Sequence, residues 1–202
     1  MSEHYFTADP AAPFVARTIT ARLAGRELEL ATANAVFSPE HLDRGTAVLL
    51  DEVPDPPSAG AALDLGCGWG PIALELALRS TSLEVWAVDV NERALALCAA
   101  NAERHAPGRV TAASPERVPA DLRFDVIWSN PPIRIGKDEL HALLEAWLPR
   151  LAPGGEAWLV VAKQLGGDSL QRWIAERFAG ELAVERAATA KGFRILRVAR
   201  CA

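Results

Sequence analysis

The 202-residue sequence is short of cysteine, of long apolar runs and of positive charge, and each shortage narrows what the chain can be. Its three cysteines, Cys67, Cys98 and Cys201, are odd in number and show no CxxC spacing, so they point to neither a zinc site nor a disulfide framework. A reducing, cytoplasmic setting is the natural reading. His4, His41, His105 and His141 fall at no metal-ligand spacing, so no metal is expected and solvated or capping roles suit them. No apolar run approaches the roughly 18 residues that a membrane span needs, and charges are scattered through the first thirty residues, so no membrane segment or export signal is expected. Lys and Arg number 21 against 26 Asp and Glu, and a formal charge of −5 argues against nucleic-acid binding by a global field. A local basic face stays open: Arg186, Lys191, Arg194, Arg197 and Arg200 gather near the C-terminus with no acid among them, although the plainer reading is a solvated strand face.

Half of the residues are hydrophobic, enough for one domain with a real core and a small extension. From residue 61 onward, short β-branched runs alternate with helical patterns, the signature of βαβ units and a parallel sheet. Strands are predicted at residues 61–65, 83–88, 109–113, 124–128 and 156–162, with helices at 69–79, 91–105, 138–148 and 168–178. Asn91 is placed to cap the second of these helices, Gly108 to stop it, and Pro153-Gly154-Gly155 to turn the chain into the fifth strand. Two more strands, 182–187 and 193–198, are joined by a link too short for a parallel crossover, so one strand of a mostly parallel sheet must be reversed. Residues 1–60 read as an extension holding a hairpin (17–23 and 26–31) and a helix (43–53), with a Pro-rich linker at 54–60; residues 61–202 form the core.

Two motifs fall at the carboxyl ends of predicted strands, the edge where open α/β sheets bind ligands. Asp64-Leu65-Gly66-Cys67-Gly68-Trp69-Gly70 turns the first core strand into the first helix. Against the dinucleotide fingerprint GxGxxG, its third glycine comes one residue early and Pro71 stands at the last glycine's place, so pyrophosphate binding loses ground. Asp89 ends the second strand 19 residues after Gly70, placed to accept hydrogen bonds from both hydroxyls of a ribose. The other motif, Asn130-Pro131-Pro132-Ile133-Arg134-Ile135-Gly136-Lys137, follows the strand at 124–128. Its prolines fix φ and push the preceding residues into extended conformations, making a stiff corner that holds an amide side chain and a carbonyl in set directions.

The glycine loop, the acid and the corner resemble the class I S-adenosylmethionine-dependent methyltransferases, and most closely their "small domain" group, which includes small-subunit ribosomal RNA guanine-N2 enzymes. His4-Tyr5-Phe6, Val36-Phe37-Ser38 and Asp43-Arg44-Gly45-Thr46 look like that group's amino-terminal elements. The resemblance implies an α/β, Rossmann-like, seven-stranded sheet with one antiparallel strand, and S-adenosyl-L-methionine as cofactor. It implies cofactor contacts from Asp64, Gly66, Cys67, Gly68, Gly70, Asp89, Val90 and Asn130, and a catalytic corner of Asn130, Pro131, Pro132 and Ile133. The target it implies is an exocyclic nucleobase amine, most simply guanine N2 in 16S ribosomal RNA, free or in the small subunit. Such an amine is a poor nucleophile because its lone pair is delocalised into the ring. Acceptors aimed at its two protons, the Asn130 side-chain oxygen and the Pro131 carbonyl, favour a pyramidal nitrogen and direct the lone pair at the methyl group. Where many amine methyltransferases stack an aromatic residue after Asn-Pro-Pro, this chain has Ile133, so Phe37 is assigned to hold the base and Arg134 and Lys137 to meet phosphates. Ala35 stands where the group commonly has glycine. The alternatives are methylation of a protein glutamine amide, an inactive cofactor-binding module and a nicotinamide oxidoreductase.

Overall fold

A computed structural model describes residues 13–200, apart from the side chain of Arg134. His4-Tyr5-Phe6 and Cys201 lie outside the described residues.

The chain opens with an antiparallel hairpin, β1 (Ala16–Leu23) and β2 (Arg26–Ala33). Its two-residue turn puts Ala24 and Gly25 at φ 46° and 73°, the left-handed pair whose twist matches that of the strands. Helix α1 (Arg44–Glu52) follows, capped by Asp43. The core then alternates β3 (Ala59–Leu65), α2 (Pro71–Arg79), β4 (Ser82–Val88), α3 (Glu92–His105), β5 (Val110–Ala113), β6 (Phe124–Ser129), α4 (Lys137–Trp147), β7 (Leu151–Ala162), α5 (Gly167–Arg177), β8 (Leu182–Ala190) and β9 (Phe193–Arg200). These strands form one seven-stranded sheet in the order β5-β4-β3-β6-β7-β9-β8. Only β9 is reversed, pairing antiparallel with both β7 and β8. The strand order changes direction between β3 and β6, and that switch opens a crevice at their carboxyl ends.

Helices α1, α2 and α3 share one core with the hairpin on one face of the sheet; α4 and α5 cover the other face. Burial on both faces explains why β3 and β6 read as continuous apolar runs rather than alternating ones. Side chains of α2 and α3 complete the backbone hydrogen bonding of the amino-terminal elements. Asn101 of α3 both donates to the Ala31 carbonyl (2.9 Å) and accepts from its N–H (2.7 Å), so the amide acts as a further peptide unit beside β2. The same Nδ2 donates to the Trp69 carbonyl at 2.9 Å, tying hairpin, helix and glycine loop together. Glu75 accepts from the Ala24 N–H at 2.6 Å, and Arg79 donates to the Leu50 carbonyl at 2.8 Å.

Several predicted boundaries move, each for a local reason. Helix α2 begins at Pro71, not residue 69, because Gly70 sits at φ 92° and Pro71 takes a first-turn position that needs no N–H partner. Strand β3 starts at Ala59, inside the predicted linker. Pro153-Gly154-Gly155 lies within an irregular β7 that reaches back to Leu151, with a register shift against β6 between Phe124 and Val126. The link between β8 and β9 shrinks to Lys191 and Gly192, whose φ values of 48° and 89° form another tight hairpin turn.

Candidate active site

A cleft of about 520 Å³ runs along the carboxyl edge of the sheet. One half is built by the β3 and β4 ends. The Gly66 and Cys67 N–H groups both donate to the Val88 carbonyl, at 2.8 and 3.0 Å, and Gly68 N–H donates to Asp89 Oδ2 at 2.9 Å. Asp89 Oδ1 accepts from the Asn91 N–H at 2.9 Å, so the carboxylate is fixed by backbone while its remaining lone pairs stay available. Burial raises its pKa above the ordinary carboxylate value, against the opposing pull of those N–H groups. Asp64 lies behind the loop, fully buried. Its Oδ2 accepts from the Ala73 N–H at 2.9 Å, whereas Oδ1 has no hydrogen-bond partner among the described residues. Burial drives the Asp64 carboxyl well above its usual range, with the nearby Asp89 charge adding to the effect.

The other half is built around the corner after β6. Ser129 Oγ donates to the Leu65 carbonyl at 2.7 Å and so locks the ends of β6 and β3 together. Pro132, at φ −75° and ψ 74°, makes an inverse γ-turn in which the Ile133 N–H donates to the Pro131 carbonyl at 2.8 Å. That carbonyl keeps a second lone pair. Asn130 Nδ2 donates to Asp43 Oδ2 at 2.8 Å and to Thr46 Oγ1 at 3.0 Å. No donor among the described residues reaches Asn130 Oδ1, and that atom is not sealed from the cleft. Gly45 makes this closeness possible, since a Cβ there would stand 2.9 Å from Asp43 Oδ2 and 3.1 Å from Phe193 Cε1.

Of the sequence-predicted residues, Phe37, Gly66, Gly68, Asp89, Val90, Asn130, Pro131, Pro132 and Ile133 line this cleft. Asp64, Cys67 and Gly70 do not line it. Cys67 is buried, with its thiol pKa pushed up by burial and by Cys98 beside it, which describes an inert packed thiol. A Cβ on Gly70 would meet Cys98 Sγ at 2.6 Å, so that glycine serves loop–helix packing. Lys137 is exposed at the start of α4; Arg134 lies in the turn before it, its side chain outside the described residues. The basic stretch of β8 and β9 is corrected by its partners. Arg186 and Arg194 pair with Asp168, Arg197 with Glu156 and Glu185, Lys191 with Asp51, and Arg200 donates to the Pro149 and Leu151 carbonyls. It is a strand face laced with ion pairs to acids on other elements.

Sequence reasoning did not assign Asp43, Thr46 or Phe193 to the site. Phe193 lines the cleft because the reversed β9 starts at this edge, a position readable from the predicted hairpin. Among the described residues, the cleft lining includes the acids Asp43 and Asp89 and no Lys or Arg. That suits a ligand with hydroxyls and positive charge and opposes a pyrophosphate. Space stands open beside the loop: a Cβ on Gly68 would meet nothing within 4 Å, and one on Gly66 only Pro132 Cδ at 3.9 Å. No group of His, Cys, Asp and Glu among the described residues is arranged to hold a metal, and no helix is long and apolar enough to cross a membrane.

A Rossmann-like sheet with one reversed strand, a glycine loop in a cleft whose described lining holds no cation, and a fixed acid after the second core strand fit an S-adenosylmethionine-dependent methyltransferase, and the family match makes it one. The family described as methyltransferase small domain matches residues 27–197, and the chain belongs to it. The chain is 35% identical over 181 residues to YbxB of Bacillus subtilis (strain 168), itself described as uncharacterized, with 88% of this chain and 90% of that one covered. It is 32% identical to the ribosomal RNA small subunit methyltransferase C of Shewanella amazonensis, over 68% of this chain and 41% of that protein. Among solved structures it resembles the T. thermophilus 16S rRNA N2 G1207 methyltransferase in complex with AdoMet and guanosine, with a TM-score of 0.80 and 26% identity. That match covers 96% of this chain and 52% of the other, so the chain spans about half or less of the length of these ribosomal RNA enzymes.

Proposed function

We propose that the chain methylates an exocyclic nucleobase amine, guanine N2 of small-subunit ribosomal RNA, using S-adenosylmethionine. The observation that carries this reading is that the Asn130-Pro131-Pro132-Ile133 corner and the Gly66–Asp89 half line one cleft, with the Asn130 amide held through its nitrogen by Asp43 and Thr46. The similarity to a ribosomal RNA guanine-N2 enzyme supports the choice of base. Bound at the loop, the cofactor supplies an electrophilic methyl group on a sulfonium. Gly66 and Gly68 permit close approach of the adenosine, Asp89 accepts from the ribose hydroxyls, and Val90 packs beside them. Asp64, buried behind the loop with its carboxyl pKa raised by burial, braces the start of α2 through the Ala73 N–H. Asn130 Oδ1 and the Pro131 carbonyl accept hydrogen bonds from the two amine N–H groups, which aligns the nitrogen lone pair and stabilises the positive charge that develops on it until one of those protons is lost to water. Phe37 and Ile133 hold the base plane, and Arg134 and Lys137 meet phosphates outside a cleft whose described lining has no cations.

The test is transfer of labelled methyl groups to naked ribosomal RNA and to small subunits from a strain lacking the gene, followed by mass analysis of nucleosides. N2-methylguanosine is the expected product. Label found only in methylated adenosine, or in a glutamine of a protein factor, overturns the assignment.

A further inference from the structure

We infer that Asp43 and Thr46 are positioning residues for methyl transfer, fixing the Asn130 amide so that its oxygen, and not its nitrogen, meets the target amine; this rests on the reading of Asn130 given above. A primary amide is nearly isosteric about its end, yet the two orientations do opposite things. One offers an acceptor to an amine proton, and the other aims two N–H groups at it. At Asn130 both Nδ2 protons are taken, by Asp43 Oδ2 at 2.8 Å and Thr46 Oγ1 at 3.0 Å. A carboxylate oxygen can only accept, so a flipped amide would set two oxygens against each other at that distance. Chemistry thus assigns the rotamer.

Asp43 is itself immobilised. Its Oδ2 accepts from Gly45 N–H at 2.7 Å and Thr46 N–H at 3.1 Å, as N-cap of the nine-residue helix α1. Thr46 is 3% exposed, so its hydroxyl is held in one place. Gly45 has no side chain to push the group apart, for a Cβ there would stand only 2.9 Å from Asp43 Oδ2. The amino-terminal elements therefore contribute to the reacting centre from 84 and 87 residues away.

A cap alone would explain Asp43, so the test spares the cap. Thr46→Val keeps the Thr46 N–H and the side-chain volume while deleting one acceptor; Thr46→Ser restores it. In the full chain, Thr46→Val should lower kcat on ribosomal RNA by about tenfold, the scale of one ordinary hydrogen bond, and Thr46→Ser should recover most of it. Affinity for S-adenosylhomocysteine and KM for RNA should hold, and the melting temperature should fall by no more than a few degrees, the cost of one lost hydrogen bond. Nitrogen-15 NMR of the Asn130 side chain gives a readout free of turnover: its NH2 protons should exchange faster in Thr46→Val than in the parent or Thr46→Ser. Parental kcat in Thr46→Val, or a loss that tracks melting temperature or cofactor affinity, overturns the positioning role. Parental proton exchange in Thr46→Val does the same. Slow exchange in a chain that leaves guanine untouched instead overturns the substrate reading on which the catalytic part depends.

Discussion

The two halves of the cleft are made in different ways. The cofactor half comes from β3, β4 and the turns after them, and its hydrogen bonds are mostly backbone to backbone or backbone to Asp89. The acceptor half draws on several separated segments, among them residues 36–39, the Asp43–Thr46 cap, the corner after β6, the end of β7 and the start of β9. Its decisive contacts run between side chains. A half built from local backbone can keep its geometry while the other half varies, so one fold can hold one cofactor and serve different acceptors.

If the halves divide labour in this way, a crossed pair of variants should separate them most sharply. Asn130→Ala should lower kcat by about 10² or more, the scale for losing one positioned polar group at a reacting centre, and leave S-adenosylhomocysteine binding intact. Asp89→Ala should weaken that binding by about 1.5–3 kcal/mol, the range for a hydrogen bond to a charged group. Calorimetry and steady-state kinetics on both variants read the cross. Because burial holds the Asp89 pKa above its ordinary value, and the ionised form is the better acceptor, parental affinity should fall as pH drops through that raised pKa. In Asp89→Ala that dependence should vanish. A turnover loss in Asn130→Ala that is matched by lost cofactor affinity would erase the division.

The same contrast decides what the sequence could reveal. Glycine loop, Asp89 and proline corner are contiguous motifs whose meaning depends on strand ends a few residues away, so their placement followed from pattern. The role of Asp43 depends on Asn130, 87 residues later; the Asp43-Arg44-Gly45-Thr46 run stands out by resemblance, but nothing along the chain ties it to that amide. The basic stretch could not be decided along the chain for a related reason. Its neutralising acids, Asp51, Glu156, Asp168 and Glu185, sit outside the window in which the cations cluster. Helix and strand types were legible from periodicity, whereas the start of α2 turned on the left-handed φ of Gly70.

Within the glycine loop the comparison can be sharpened on a smaller scale, since Gly68 borders the cleft and Gly70 borders Cys98. Gly70→Ala meets both a left-handed φ of 92° and a Cβ contact of 2.6 Å, so it should destabilise the chain by about 2–3 kcal/mol, overpacking added to backbone strain. Gly68→Ala, with φ 54° and open space around its Cβ, should cost only about 1 kcal/mol of stability yet weaken cofactor binding. Melting curves with and without S-adenosylhomocysteine distinguish them. Equal destabilisation of the two free proteins would mean that the loop's glycines are interchangeable.

The smallest effect is expected at Ala35, where the chain enters the wall that carries Phe37. Ala35 sits at φ 57°, and its carbonyl accepts from Asn91 Nδ2 at 2.9 Å, so the left-handed turn is anchored to the cap of α3. A non-glycine residue in that region bears about 1–2 kcal/mol of strain. Glycine would relieve it but add about 0.5–1 kcal/mol of unfolded-chain entropy. The difference favours Ala35→Gly by about 0.5–1 kcal/mol, which for a chain of this size raises the melting temperature by about 1–4 °C. Ser38, at φ 45°, bends the same wall again three residues later, and its carbonyl is held by Trp69 Nε1 at 3.2 Å. With both ends of the segment tied to the core, turnover should stay near the parental rate in Ala35→Gly. A fall in melting temperature would show that the Ala35 methyl packs more favourably than its backbone is strained. A fall in turnover at unchanged stability would show that the acceptor half depends on a stiff Phe37 wall as well as on the Asp43 anchor.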